Sequence, residues 1–173
     1  MLKNKEIELI PISKEDTEYI INIRNTKKIN ENLFSNPPIY DFEHIKWLNQ
    51  MNKNDIHLII KNKDEKVGII NITKIDYLNE KCEYGIALEP QYSGKGIAYK
   101  ASKLLLNYVF SNLKIRKVYL ELFSDNIRAK SLYEKIGFKQ EGFFKEEIFK
   151  NGKFRDVIRM ACYKSEWKNE NSI

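Results

Sequence analysis

Between Ile56 and Asn112 the spacing of apolar residues changes its period, and that change limits the folds open to the chain. Ile56 to Lys61, Lys66 to Tyr77 and Lys81 to Leu88 read as strands with apolar/polar alternation. Short polar turns join them, which predicts an antiparallel meander. From Lys95 to Asn112 the period becomes helical. Ile97, Ala101, Leu104, Leu105 and Tyr108 fall at i, i+4, i+7, i+8 and i+11 on one face. The segment from Glu89 to Ala98 stands at the switch, with Gly94 and Gly96 where the chain turns into the helix.

The flanking segments complete the element order. Ile7 to Ile12 reads as a strand. Ser13 caps a helix to about Asn25, with Asp16 at the capping-box position and Tyr19, Ile20, Ile23 and Ile29 as its apolar face. Asn36-Pro37-Pro38 breaks the chain, and Asp41 caps a second helix, from about Phe42 to Met51, that buries Ile45, Trp47 and Leu48. Val118 to Phe123 reads as a strand. Ala129, Leu132, Tyr133 and Ile136 mark the next helix, with Gly137 at its C-cap. Phe138 to Phe149 and Phe154 to Tyr163 flank Asn151-Gly152, a hairpin signal. The order is β-α-α-β-β-β-α-β-α-β-β.

The 173 residues predict one domain, with a polar tail at 168–173 that frays. A hydrophobic share of 42% supports a folded core. No run reaches the length of a membrane span and the N-terminus lacks a signal-peptide core, so a cytoplasmic location is expected. Cys82 and Cys162 read as buried free thiols, and nothing has metal-ligand spacing. The net charge of +6 is scattered among acids without a nucleic-acid motif. It suits anionic small ligands better than nucleic acid, and mildly disfavours a polycation. The sequence does not fix the oligomer; a homodimer is compatible with it.

A helix start presents unpaired N–H groups and a partial positive charge, and glycine lets backbone approach a phosphate closely. The same Gly-Lys-Gly also serves as a plain turn. It lacks the spacing of a nucleoside-triphosphate loop or of a dinucleotide fold.

Two motifs carry a resemblance. Gln91-x-x-Gly94-x-Gly96 is followed about thirty residues later by Asn126, then Tyr133 and Gly137-Phe138 within Asn-Ile-Arg-Ala-Lys-Ser-Leu-Tyr-Glu-Lys-Ile-Gly-Phe. Together they resemble the GNAT superfamily of acetyl-CoA-dependent N-acetyltransferases over nearly the whole chain. The resemblance implies an α+β fold, with a mixed, mostly antiparallel sheet of about seven strands flanked by about four helices. It implies a bulged strand before the loop that splays from its neighbour, so that Ile86, Ala87 and Leu88 pair with the pantetheine arm. Gln91 belongs to the coenzyme-binding motif. Amides of Ser93, Gly94, Lys95, Gly96, Ile97 and Ala98 would hold the pyrophosphate, Asn126 the pantetheine, and Tyr133 would protonate the departing thiolate. By spacing alone Tyr133 reads as a core aromatic. Glu83 is a candidate base, and equally a strand glutamate facing solvent or a lysine; some relatives use water alone.

Ile23-Arg24-Asn25, Glu43-His44-Ile45-Lys46-Trp47 and Cys82-Glu83-Tyr84-Gly85 are similar to segments of the pseudaminic-acid pathway N-acetyltransferases, although Ile23 stands where that family has Trp. The tail from Phe149 to Ile158 is shared with the broader Rim-type branch. This resemblance implies that the acceptor is the 4-amino group of UDP-4-amino-4,6-dideoxy-N-acetyl-β-L-altrosamine, in flagellin or surface-glycan synthesis. Arg24, Asn25 and His44 would be substrate-binding residues. The alternative is a Rim-type enzyme acting on a protein N-terminus, or a polyamine or antibiotic acetyltransferase.

Overall fold

The meander and the helices assemble into one eight-stranded mixed sheet in the order β1-β2-β3-β4-β5-β6-β8-β7. The strands are β1 (Leu2–Lys3), β2 (Ile7–Pro11), β3 (Ile56–Asn62), β4 (Glu65–Asp76), β5 (Lys81–Leu88), β6 (Lys117–Phe123), β7 (Lys139–Lys150) and β8 (Lys153–Tyr163). The helices are α1 (Thr17–Asn25), α2 (Lys27–Asn30), α3 (Asp41–Gln50), α4 (Ile97–Asn112) and α5 (Ile127–Ile136). The computed structural model describes residues 2–36 and 38–168. Pro37 of the expected chain break, and the expected frayed tail apart from Lys168, lie outside the described residues. The strand and helix beyond expectation are the two-residue β1 and the single-turn α2, both too short to leave a periodic signal.

Alternation along the strands divides the sheet into two faces. Leu58, Ile60, Ile70, Ile72, Cys82 and Tyr84 share a core with Ile97, Ala101 and Leu105 of α4 and with Tyr133 of α5. The opposite face carries Ile59, fully buried, toward the side where α1 buries Ile20 and Ile23. Both cysteines are buried, and burial pushes their thiols up, to about 12 for Cys82 and about 11 for Cys162.

Local signals act as expected at several joints. Asp16 accepts from the Ser13 N–H at 2.8 Å and from Lys66 Nζ at 2.7 Å. Asn151 and Gly152 both take positive φ, 53° and 79°, as a tight hairpin requires. Gly137 closes α5 at φ 122°.

Three expectations need correction. The cap of α3 is Tyr40, whose N–H is accepted by Glu43 at 3.1 Å; Asp41 is the first helical residue. Nor does α3 bury Ile45, which is 43% exposed; His44 is the buried residue and Trp47 and Leu48 are half-buried. The bulge lies in β4 rather than β5: the β4–β5 register shifts between Thr73 and Asp76, with Lys74 at φ 50°. β5 itself runs in unbroken register from Glu83 to Leu88.

Candidate active site

β5 and β6 are the parallel neighbours of the sheet, and they pair only at Lys81–Lys117, Cys82–Val118 and Glu83–Tyr119. Beyond Glu83 the strands part. β6 continues against β8, β5 continues against β4, and the inner edge of Tyr84–Leu88 has no strand partner among the described residues. Unmet backbone groups on such an edge are a template for an extended ligand. A cavity of about 790 Å³ runs through the gap, lined by Tyr84, Gly85, Ile86, Ala87 and Leu88 on one side and Leu120, Glu121 and Leu122 on the other.

At one end the cavity meets the start of α4, where Ser93, Gly94, Gly96 and Ala98 line it. Gly94 and Gly96 adopt φ 80° and 77°, a conformation that disfavours any side chain. A Cβ on Gly96 would meet nothing within 4 Å, and one on Gly94 only Arg128 at 3.9 Å, so open space lies in front of the turn. The first intrahelical acceptor is the Gly96 carbonyl, bonded by the Lys100 N–H at 3.1 Å. The N–H groups of Ile97 and Ala98 therefore precede the helical ladder. Arg128 donates to Ser93 Oγ and brings a guanidinium to the same loop. The cradle fits a diphosphate: glycines, the amides of Ile97 and Ala98, a helix N-terminus and the Arg128 guanidinium.

Midway stands Tyr133, 9% exposed. Its ring packs edge-on to Tyr84 at 6.1 Å and to Phe138 at 5.9 Å. Burial raises its hydroxyl to about 12, so it remains a neutral donor near neutral pH. Tyr84 and Ser102 Oγ are 2.5 Å apart, and Ser102 donates onward to the Ala98 carbonyl at 2.6 Å, which ties β5 to the first turn of α4. Burial, then the neighbouring Tyr133, push the Tyr84 hydroxyl well above its usual value against the Ser102 hydrogen bond.

The far end opens on the opposite sheet face, because His57, Asn71 and Gly85 form one cross-strand row, and Thr73 and Glu83 the next. A Cβ on Gly85 would lie 2.8 Å from Asn71 Oδ1, so this glycine makes room for the amide. Two carboxylates line this end. Glu83 pairs with Lys74 at 2.6 Å, and Lys74 is largely exposed; Glu121 pairs with Arg159 at 2.5 Å. Arg24, Lys28, His44 and His57 line it as well. His44 is 2% exposed and its Nε2 has no partner among the described residues. Desolvation, then Arg24, lower its pKa. Desolvation also lowers that of His57, followed by opposing influences of Asp55 and Arg24.

The cavity thus brings together Arg24, His44, Glu83, Ile86, Ala87, Leu88, Ser93, Gly94, Gly96, Ala98 and Tyr133. Other expected residues lie elsewhere. Asn25 exchanges both amide bonds with the Ile39 backbone at 2.9 Å, pinning the chain before α3. Gln91 is exposed and donates to Glu89 at 2.6 Å, and Lys95 sits over the Tyr92 ring. The Ile97 side chain belongs to the core, leaving only its backbone at the loop. Asn126 caps α5 through the Ala129 N–H at 3.2 Å and borders a separate, smaller cavity. Arg128 is the residue that the sequence reading missed; its place two residues after the motif Asn126 is the signal that could have found it.

The family model described as acetyltransferase (GNAT) domain matches residues 6–139. The spermidine N(1)-acetyltransferase of Escherichia coli (strain K12) is 29% identical over 171 residues, covering 95% of this chain and 90% of that protein. The crystal structure of spermidine N-acetyltransferase from Vibrio cholerae in complex with CoA and spermine superposes with a TM-score of 0.89 at 28% identity, covering 94% of this chain and 98% of that one. A dodecameric structure of the same Vibrio cholerae enzyme in an intermediate state gives a TM-score of 0.83 at 27% identity, covering 98% of this chain and 100% of that one.

Proposed function

The chain belongs to the acetyltransferase (GNAT) family and is an acetyl-CoA-dependent N-acetyltransferase; from that premise we propose that its acceptor is a polyamine of the spermidine type. The observation that carries this reading is the likeness, over nearly the whole length of both chains, to enzymes named for spermidine. It replaces the nucleotide sugar as the leading acceptor. Glu83 and Glu121 offer the local counter-charge: a polyammonium ion entering the far end meets Glu83 held only by an exposed lysine. Net charge argued mildly against a polycation, but an acceptor responds to the carboxylates within a Debye length rather than to the total.

Acetyl-CoA supplies the acyl thioester. The α4 amides and Arg128 hold its diphosphate, and the open edge of β5 orients its arm. Glu83 takes the proton that frees the amine, directly or through water, and Tyr133 gives a proton to the departing sulfur. Assembly into an oligomer, as in the dodecameric structure of the Vibrio cholerae enzyme, is part of the same reading.

A second reading rests on Arg24 and His44. Desolvation lowers the Arg24 pKa with no carboxylate partner among the described residues to offset it, and His44 offers in the same cavity an Nε2 that is unpaired among those residues. These groups suit an amine that also carries a phosphate or carboxylate, a UDP-4-amino sugar among them. An acetylation panel of spermidine, spermine, N-terminal peptides and UDP-4-amino sugars, read by mass spectrometry, decides. Acetylated spermidine or spermine is expected. Transfer confined to the nucleotide sugar selects the second reading, and transfer to no amine refutes both.

A further inference from the structure

Lys150 ends β7 at the hairpin tip, yet it is 1% exposed. Its ammonium donates to Asn30 Oδ1 at 3.0 Å and to the Ser35 carbonyl at 2.5 Å. Both acceptors are neutral. The charged group nearest in influence is Arg155, which with burial lowers the lysine's pKa. A buried cation facing neutral acceptors and a like charge costs stability, and an apolar side chain would pack there more favourably. What an apolar side chain could not do is hold two separated points of the chain at once.

Those two points bracket a wall of the acceptor end. Ile29, Asn32, Leu33 and Phe34 line the cavity, and they lie between Asn30 and Ser35 or beside them. The same two residues reach Arg24: Asn30 Nδ2 donates to the Arg24 carbonyl at 3.4 Å, and Arg24 donates to Ser35 Oγ at 3.4 Å. A closed ring results, running Lys150, Asn30, Arg24, Ser35 and back to Lys150. Arg155 adds a second tie from the hairpin, donating to the Glu31 carbonyl at 2.9 Å while stacked 3.5 Å over Phe123. Phe34 packs edge-on to that same ring at 5.0 Å. Lys150 itself does not line the acetyl-transfer cavity.

We propose that Lys150 is a positioning residue for the acceptor: its buried ammonium fixes the wall from Ile29 to Ser35, and through it Arg24, at the register the amine substrate meets. The inference rests on the reading that the acceptor occupies the Arg24 and His44 end. It does not depend on which amine is bound.

The test uses the full chain with Lys150→Met and Asn30→Ala, singly and together. Lys150→Met is expected to raise amide hydrogen exchange across residues 29–35 by about tenfold while exchange in β5 and α4 stays put. CoA affinity by calorimetry is expected to be unchanged. KM for the amine is expected to rise by about tenfold, with KM for acetyl-CoA unmoved, and the double variant is expected to be no worse than the single ones. Unchanged exchange in the wall overturns the proposal. So does exchange rising uniformly through the sheet, or both KM values moving together, since those mark a purely structural lysine. If Lys150→Met does not fold, Asn30→Ala carries the same test on the same readouts. A wild-type protein that acetylates no amine refutes the enzymatic reading and leaves the exchange result to decide whether the clamp exists.

Discussion

Tyr133→Phe removes one hydroxyl while leaving the ring that packs between Tyr84 and Phe138. The fold should scarcely notice, because the ring keeps its edge-on packing against Tyr84 and Phe138. Catalysis should notice more. Burial holds this phenol at about 12, so it is protonated in any ordinary buffer and available to the thiolate leaving group. A positioned acid contributes about 10²- to 10⁴-fold, and the lower figure is about 2.7 kcal/mol of barrier. We expect kcat to fall by about 10²-fold with KM for acetyl-CoA within about twofold, because the diphosphate cradle is untouched. The assay is thiol release followed by a disulfide reagent, run from pH 6.5 to 10. The wild-type rate should rise as the amine deprotonates, with no descending limb from Tyr133 in that range. A variant turning over within threefold of wild type refutes Tyr133 as the acid. A titration near pH 8 that vanishes in the variant would contradict the assigned protonation state.

Three further outcomes follow from the same geometry. Gly94→Glu places a β-substituted residue at φ 80° and a carboxylate where a diphosphate would lie, so CoA affinity should drop by about tenfold or more; unchanged affinity by calorimetry locates the phosphates elsewhere. Arg128→Ala removes the guanidinium at Ser93 and should weaken CoA by about fivefold without changing KM for the amine; equal loss on both substrates contradicts this placement. His44 is held below its unfolded value of 6.5, so between those two values the unfolded chain binds more protons and stability rises with pH. Melting temperature should therefore decline as pH falls through 6.5, and His44→Gln should flatten that decline; an identical slope in the variant removes His44 as its source.

The sequence exposes what depends on near neighbours. The change of period before Ile97, the Asn151-Gly152 turn and the Gly137 cap are local events, and each forms where expected. α3 misleads because periodicity presumes an apolar interior. This helix stands over the cavity that His44 lines, so His44 is buried and Ile45 is exposed. The parting of β5 from β6 leaves no mark on either strand's own pattern, since alternation is the same whether or not a neighbour is hydrogen-bonded. The clamp is quieter still. Lys150 and Asn30 are 120 residues apart, and a lysine on an edge strand reads as solvated until the fold is known. The acceptor shows the same limit, because the balance between Glu83 and Glu121 on one hand and Arg24 and His44 on the other is a matter of placement in three dimensions.

The short ladder between Glu83 and Tyr119 has a mechanical consequence. Five strands on one side and three on the other are riveted at a single corner, with α4 packed on β1, β2 and β5 and α5 packed on α4. A long, thin molecule threaded into that seam would become a girder of the architecture as well as a reactant, and its departure after each turnover would loosen the joint that its successor must tighten.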